Sequence, residues 1–257
     1  MTTKFIILGS GSSMGVPRAD GYSGNCDLKN KKNFRYRCSA LIKFENQNFL
    51  IDTSPDLRSQ LLNNGITCIN KVFYTHFHAD QTHGINDLRP FFLKNKKQIP
   101  VYADPKTSKY LYSTFGYCFN TSGDYPSTLF LNKLKNKHTF KNSNKKIIIE
   151  PFVTEHGEIE SICYLINKKL AYASDISLFY KKDYKRLKEL DYLIIDCLWY
   201  KKHTAHFNLH QVLDLVKILS PKKTILTNMH TDLDYNELKK KLPKNIVPGY
   251  DGMTVNL

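Results

Sequence analysis

Residues 71–84 read KVFYTHFHADQTHG, and the rest of the chain is interpreted outward from this stretch. KVFYT is a short, mostly apolar run rich in β-formers, the pattern of a buried strand. It runs straight into His76, His78 and Asp80. Two imidazoles at i and i+2 and a carboxylate at i+4 converge on one point only if the backbone curls away from the strand. A loop at a strand end allows that. Imidazole and carboxylate are borderline-to-hard donors that suit Zn, Mn or Fe, and no cysteine lies nearby to favour a purely structural site. The alternative is a polar surface loop that happens to be rich in histidine.

The segments on either side predict an α/β chain. KFIIL (4–8) is a short buried strand closed by the glycine cluster GSGSSMG, and a polar, basic loop fills 17–37. SALIKFENQNFLID gives two strands joined by a turn at Glu45-Asn46-Gln47. A helix follows Pro55, from Asp56 to Leu62, and Ile85, Leu88 and Phe92 line a short amphipathic helix after Gly84. VYAD (101–104) is a strand, whereas the aromatic, lysine-rich segment 105–147 has weak periodicity and receives no assignment. KKIIIEPFVTE, SICYLIN and KLAYASD are strands, the last two forming a hairpin across Asn167-Lys168-Lys169, and DYLIIDCL (191–198) is another. A helix begins near Asn208, with Gln211 as its capping partner and Val212, Leu215, Val216 and Leu219 as its buried stripe. TILTN, a helix near 235–242 and IVPGYDGMTVNL close the chain. Strands cluster first and then alternate with helices in both halves, which suits two facing sheets with helices outside. No repeat or Pro/Gly/Ser-rich linker divides 1–257, so a single domain is expected.

Four more ligand-type residues fall at strand ends or beside a helix start. His156 follows the strand before it, Asp175 ends YASD, His206 precedes a helix N-terminus, and His230 lies just beyond TILTN. Together with the 76–80 cluster they point to one edge of the two-sheet body. GSGSSMGVP (9–17) has the spacing G-x-G-x-x-x-G without a matching acidic residue, so it is a tight backbone turn rather than a dinucleotide loop. Asp52 either orients a metal ligand from behind or caps a turn.

Composition sets outer limits. The chain has 257 residues, 41% of them hydrophobic, enough for a large core. No run approaches the ~20 apolar residues of a membrane span, and Phe5–Leu8 is too short for a signal-peptide core, so a cytoplasmic protein without membrane association is expected. Six scattered cysteines with no CxxC pair are read as reduced, mostly buried thiols. Cys26 and Cys38 bracket a polar loop, but two thiolates do not complete a tetrahedral metal site. A formal charge of +15 favours an anionic partner, a phosphate compound or nucleic acid. Lysine drift across the whole chain would also produce that charge.

GSGSSMGVP, LIDTSPDLRSQLL, THFHADQTHGINDLR, the HG at 156–157, YASD, HTAHF and YDGM occur in order over nearly the whole chain. Together they resemble the phosphoribosyl 1,2-cyclic phosphate phosphodiesterase branch of the metallo-β-lactamase superfamily. The resemblance implies a four-layer αββα sandwich that hydrolyses cyclic or linear phosphodiesters with divalent ions, Zn or Mn. It implies that His76, His78 and His156 hold a first ion, that Asp175 bridges to a second, and that Asp80 serves that second ion. It makes His206, with Asp80, the catalytic candidates. Two departures stand out. The branch usually has histidine where this chain has Gln81 and Asn228, and both positions serve the second ion. Carboxamide oxygens favour harder ions than Zn, and His230 or His83 is the candidate replacement nitrogen. A structural zinc held by a cysteine cluster after the GVP turn is not expected, because Cys26 alone does not reproduce that cluster.

The expected activity is therefore hydrolysis of a cyclic or small phosphodiester, such as a phosphoribosyl or nucleotide cyclic phosphate, with His206 donating a proton to the leaving oxygen. One rival is an RNA 3′-end processing endonuclease of the same superfamily, for which 105–147 and the basic charge would grip RNA. The other is a metal-poor relative that binds an anion without turnover. A homodimer is left open as the assembly.

Overall fold

In the computed structural model residues 3–142 and 145–257 are described. The strands are β1 (Lys4–Gly9), β2 (Ser39–Phe44), β3 (Gln47–Ile51), β4 (Lys71–Phe73), β5 (Ile99–Ala103), β6 (Leu129–Lys133), β7 (His138–Asn142), β8 (Lys145–His156), β9 (Ile159–Ile166), β10 (Leu170–Ala173), β11 (Tyr192–Asp196), β12 (Lys223–Thr227), β13 (Ile246–Pro248) and β14 (Thr254–Asn256). They form two seven-stranded sheets, β14-β1-β2-β3-β4-β5-β6 and β13-β12-β11-β10-β9-β8-β7. The chain builds the first sheet, then the second, and finally returns β14 to pair with β1.

Side-chain alternation explains the layers. Phe5 and Ile7 of β1 point into the core between the sheets, where they meet Ile42, Phe49, Phe73, Tyr164, Tyr172 and Ile194. Ile6 and Leu8 point the other way, into a separate core with Leu57, Leu61, Ile85, Leu88 and Leu111 from the helices over the first sheet. On the second sheet Ile194 faces inward while Leu193 and Ile195 face outward, against Val212, Leu215, Val216 and Leu219. Each central strand is buried on both faces, hence the continuous apolar runs KFIIL and YLII. The result is the expected α/β, four-layer αββα sandwich. The helix at Leu209–Leu219 carries the anticipated capping box between Asn208 and Gln211.

Segment 105–147 resolves into helices at Pro105–Thr114 and Gly116–Phe119, strands β6 and β7, and the start of β8; residues 143 and 144 lie outside the described residues. The first helix opens on Asp104, whose carboxylate accepts from the Lys106 and Thr107 amides, with Pro105 in its first turn. Only Thr107 and Leu111 are buried on that helix, so its apolar stripe is too thin to show as periodicity. Strands β6 and β7 are the edge strands on the same side of the two sheets, each with one covered face at most. Among the described residues no helix is long and apolar enough to cross a membrane.

Candidate metal centre

The site begins at the C-terminal end of β3, where Asp52 leaves the strand with φ of +62°. Its carboxylate grips the chain beyond β4: Oδ1 accepts from the Thr75 amide at 2.8 Å and Oδ2 from the Thr75 hydroxyl at 2.8 Å. Thr75 Oγ1 is in turn 3.0 Å from His76 Nδ1. The Thr75 hydroxyl donates to Asp52 Oδ2, which leaves Thr75 Oγ1 to accept from His76 Nδ1–H. That fixes the tautomer and leaves the Nε2 lone pair free. His76 Nε2 is buried and has no hydrogen-bond partner. Asp52 is thus the orienting residue, the first of the two roles its sequence context allowed. Burial pushes its carboxyl well above the usual range, against the pull of the two Thr75 bonds.

His156, at the end of β8, is fixed in the same sense. Its Nδ1 donates to the Ala205 carbonyl at 2.7 Å, which leaves Nε2 free, 3.4 Å from His78 Nδ1. The HG pair explains this contact. Gly157 has φ of +61°, and a Cβ there would come within 2.9 Å of the Ala205 Cβ. Glycine is what lets the 203–207 loop lie close enough for its carbonyl to reach the imidazole.

His76, His78 and His156 converge, each offering a ligand nitrogen within 4.8 Å of the others. Their rings lie edge to face, with centroids 4.6, 4.9 and 5.2 Å apart. Burial depresses the basicity of all three, and takes His76 down to about 3. They are therefore neutral at physiological pH, the protonation state a metal ligand needs. Three neutral imidazoles, one with an orphaned buried lone pair, fit a divalent ion of the Zn or Mn type.

A second group joins His156 to Asp175 and His206, again within 4.8 Å. Asp175 is 3% exposed; burial raises its pKa, but His76, His156 and His206 together outweigh that and hold it below the usual value. His206 Nδ1 is 2.6 Å from Asp196 Oδ2. Burial alone would lower the His206 pKa, but the Asp196 carboxylate drives it up to about 9. Asp196 ends β11 and also accepts from the Ile176 amide at 3.0 Å. Sequence reading placed it inside the strand 191–198 and gave it no role, although a carboxylate in such an apolar run, fully buried here, is itself a signal.

Asp80 stands beside this group. Its Oδ2 accepts from Gln81 Nε2 at 3.0 Å, and the same nitrogen donates to Asp175 Oδ2 at 3.2 Å. Burial, reinforced by the Asp175 charge, pushes the Asp80 carboxyl up to about 7. His230 belongs to neither group. Its ring packs on Trp199 at 5.2 Å, and its Nδ1 faces Thr231 Oγ1 at 3.1 Å. His83 also lies outside both groups, hydrogen-bonded to Tyr110 Oη at 3.0 Å. Neither imidazole takes the place opened by Gln81 and Asn228. Cys26 and Cys38 do not share a site: Cys26 Sγ lies 3.8 Å from the Arg35 guanidinium and Cys38 Sγ lies 3.6 Å from Thr227 Oγ1.

The glycine motif and the YDGM ending prove to be one device. Asp251 accepts from the Ser10 amide at 2.9 Å, the Ser10 hydroxyl at 2.8 Å and the Tyr36 amide at 2.6 Å. Met229 N donates to the Ser10 carbonyl, which ties the turn to the residue after Asn228. Beyond the turn opens a cavity of about 530 Å³, lined by Met14, Arg18, Phe34, Tyr36 and Arg37 among others. Arg37 pairs with Asp56 through both carboxylate oxygens, at 2.7 and 2.9 Å. That bond chiefly raises its pKa, and Asp80 adds to the effect, so Arg37 lies within the field of the centre.

Comparison with known proteins matches the beta-lactamase superfamily domain to residues 47–229. A diphosphatase of the PhnP family shares 30% identity and a TM-score of 0.89, over 100% of this chain and 98% of that one. Zn²⁺-bound PqqB from Methylobacterium extorquens shares the fold, with TM-score 0.80 at 16% identity, over 99% of this chain and 100% of that one. An octanoyltransferase of Porphyromonas gingivalis (strain ATCC BAA-308 / W83) is 30% identical over 97% of this chain, which spans about half, 51%, of that protein's length. Two facing sheets, ligand-type residues gathered at their strand ends and a match of this extent agree: the chain belongs to the metallo-β-lactamase superfamily, in the branch of the PhnP-family diphosphatase.

Proposed function

We propose that the protein is a metal-dependent phosphodiesterase acting on a small anionic substrate, a cyclic or linear phosphodiester. The observation that carries this reading is the setting of His206. It is held protonated by Asp196 beside the three-imidazole cluster, with Nδ1 spent on the carboxylate and Nε2 left for substrate.

A divalent ion on His76, His78 and His156 would supply Lewis acidity and lower the pKa of the attacking water towards ~7. The chain's own residues do the rest. His206 gives its proton to the leaving alkoxide, a contribution of typically ~10²–10⁴-fold. Asp80, with its carboxyl raised to about 7, takes a proton from the attacking water near neutral pH. Arg37 and Arg18 line the cavity, each paired with a carboxylate that also lines it, Asp56 and Asp20, so they offer hydrogen-bond donors without a net positive charge. Met14 and Phe34, 48% and 53% exposed, offer apolar surface to an organic substituent. This combination supports a phosphate ester carrying a compact organic group.

The test uses metal-stripped protein resupplied with Zn or Mn, assayed on a 2′,3′-cyclic nucleotide and on bis-p-nitrophenyl phosphate, beside His206→Ala. Turnover that requires metal and falls at least a hundredfold in the variant supports the reading. Hydrolysis of an octanoyl thioester or of a precursor RNA, with the small diesters untouched, would overturn it.

A further inference from the structure

We infer that this chain holds a one-metal centre, in which the amide hydrogens of Gln81 and Asn228 occupy the two oxygens of Asp175 that a second ion would need. The inference concerns metal content alone and does not depend on the substrate.

The argument starts with the orientation of Asn228. Its Nδ2 is 2.9 Å from the Ser174 carbonyl oxygen. A carbonyl only accepts, so the NH₂ side of the carboxamide must face it. The same nitrogen lies 3.2 Å from Asp175 Oδ1. Both amide hydrogens are thus engaged, one on Ser174 and one on Asp175. Turning the carboxamide over would place its oxygen against two acceptors within 3.2 Å. That leaves buried acceptors facing one another, which costs about 1–3 kcal/mol for each group left unpaired. The backbone allows no easy escape. Asn228 sits at φ of +59°, and its neighbour Met229 is bonded to Ser10.

Gln81 completes the arrangement from the opposite side. It is fully buried, and its Nε2 lies 3.2 Å from Asp175 Oδ2 and 3.0 Å from Asp80 Oδ2. Each oxygen of Asp175 therefore accepts from a different carboxamide. These two donors satisfy Asp175 without a second cation. The oxygens left over are Gln81 Oε1, buried and unpartnered, and the second oxygen of Asp80, whose Oδ2 takes the Gln81 amide. One amide oxygen and one carboxylate oxygen fall short of the several oxygen ligands that a hard divalent ion takes. The donor set around Asp175 thus does not fit a second ion, whereas His76, His78 and His156 fit the first.

Metal content of reconstituted protein tests this. Protein loaded with excess Mn and desalted should retain one equivalent per chain and show the spin-resonance spectrum of an isolated Mn ion. Gln81→His/Asn228→His should retain two, with the broadened spectrum of an exchange-coupled pair. Two tightly held equivalents in the unsubstituted protein, one of them lost in Asp80→Asn, overturn the inference. So does a folded double variant that stays at one equivalent, since the carboxamides would then not be what excludes the second ion. If the double variant does not fold, the unsubstituted protein and the single Asn228→His variant decide. Because retention and spectrum are read without substrate, a wrong substrate class leaves this result unaffected.

Discussion

Asp196 Oδ2 lies 2.6 Å from His206 Nδ1 at the bottom of the site, so a buried carboxylate sets both the direction and the charge of the candidate acid. Burial and attraction oppose one another in the pair: burial raises the Asp196 carboxyl to about 7, and the Asp196 charge raises His206 to about 9. The role of Asp196 is positioning. A proton donor with a raised pKa works below that pKa, so turnover should fall as pH climbs through about 9, while the Asp80 base sets a separate acid limb near 7. The stabilising half of the linkage has the same sign: the His206 contribution is complete below 6.5 and is lost as pH rises towards 9. In Asp196→Asn the alkaline limb of kcat should move down towards the ordinary imidazole range, with metal content unchanged. A limb that stays in place would show that Asp196 only supports the fold.

Thr75 is the link between Asp52 and His76, and its hydroxyl alone makes that link. Thr75→Val keeps the shape and the β-branching but removes the acceptor that fixes the His76 tautomer. Supporting residues of this kind affect metal affinity by about 10–100-fold. Competition against a fluorescent chelator should show a loss of that size in Thr75→Val and near-normal affinity in Thr75→Ser. Equal affinity in all three proteins would mean that the imidazole is oriented by packing alone.

The fold was legible in the sequence wherever one physical pattern dominated. KFIIL, DYLIIDCL and the capped helix after Asn208 each carry a strong local signal; each forms, although the strand read over 191–198 ends at Asp196. The candidate ligands His76, His78, His156 and Asp175 were visible because each follows a strand, and strand ends are where loops converge. His230 also follows a strand, yet its ring turns to Trp199: sequence places a residue at an edge without giving the direction of its side chain. Asp196 escaped notice because the strand was read through it to residue 198, and its partner His206 arrives from a loop ten positions later. The helix at Pro105–Thr114 escaped periodicity for a different reason. It is held by a cap and a thin stripe, with Tyr110 turned to Phe77 and His83 at the rim of the site.

Gly157 is the position where a single methyl group should matter most. At φ of +61° an added Cβ is strained, and it would also press on Ala205, whose carbonyl holds His156. Gly157→Ala should cost about 1–3 kcal/mol in a urea melt. It should also lower kcat more than a stability loss of that size explains, because His206 lies one residue beyond Ala205. A variant that melts lower but turns over normally would show that the loop recovers its position.

Arg35 supplies the last prediction. The guanidinium is 1% exposed and donates to the Leu233 carbonyl at 2.6 Å, to Asn33 Oδ1 at 3.1 Å and to the His230 carbonyl at 3.4 Å. It thereby joins the polar 17–37 loop to the segment after Asn228, and Cys26 lies against it. Burial lowers its pKa, but no ordinary pH removes its charge. Arg35→Met keeps the length and the apolar stem while leaving the buried Leu233 carbonyl unpaired, a loss of about 1–3 kcal/mol, since the His230 carbonyl keeps the Leu233 amide and Asn33 Oδ1 keeps the Tyr235 amide. The melting midpoint should fall accordingly, and Cys26 should become reactive to a thiol reagent as the loop lifts. Metal held on His76, His78 and His156 should be retained, because Arg35 touches none of them. If Arg35→Met instead releases the metal while the melt is unchanged, the loop is part of the centre rather than the wall of the cavity beside it.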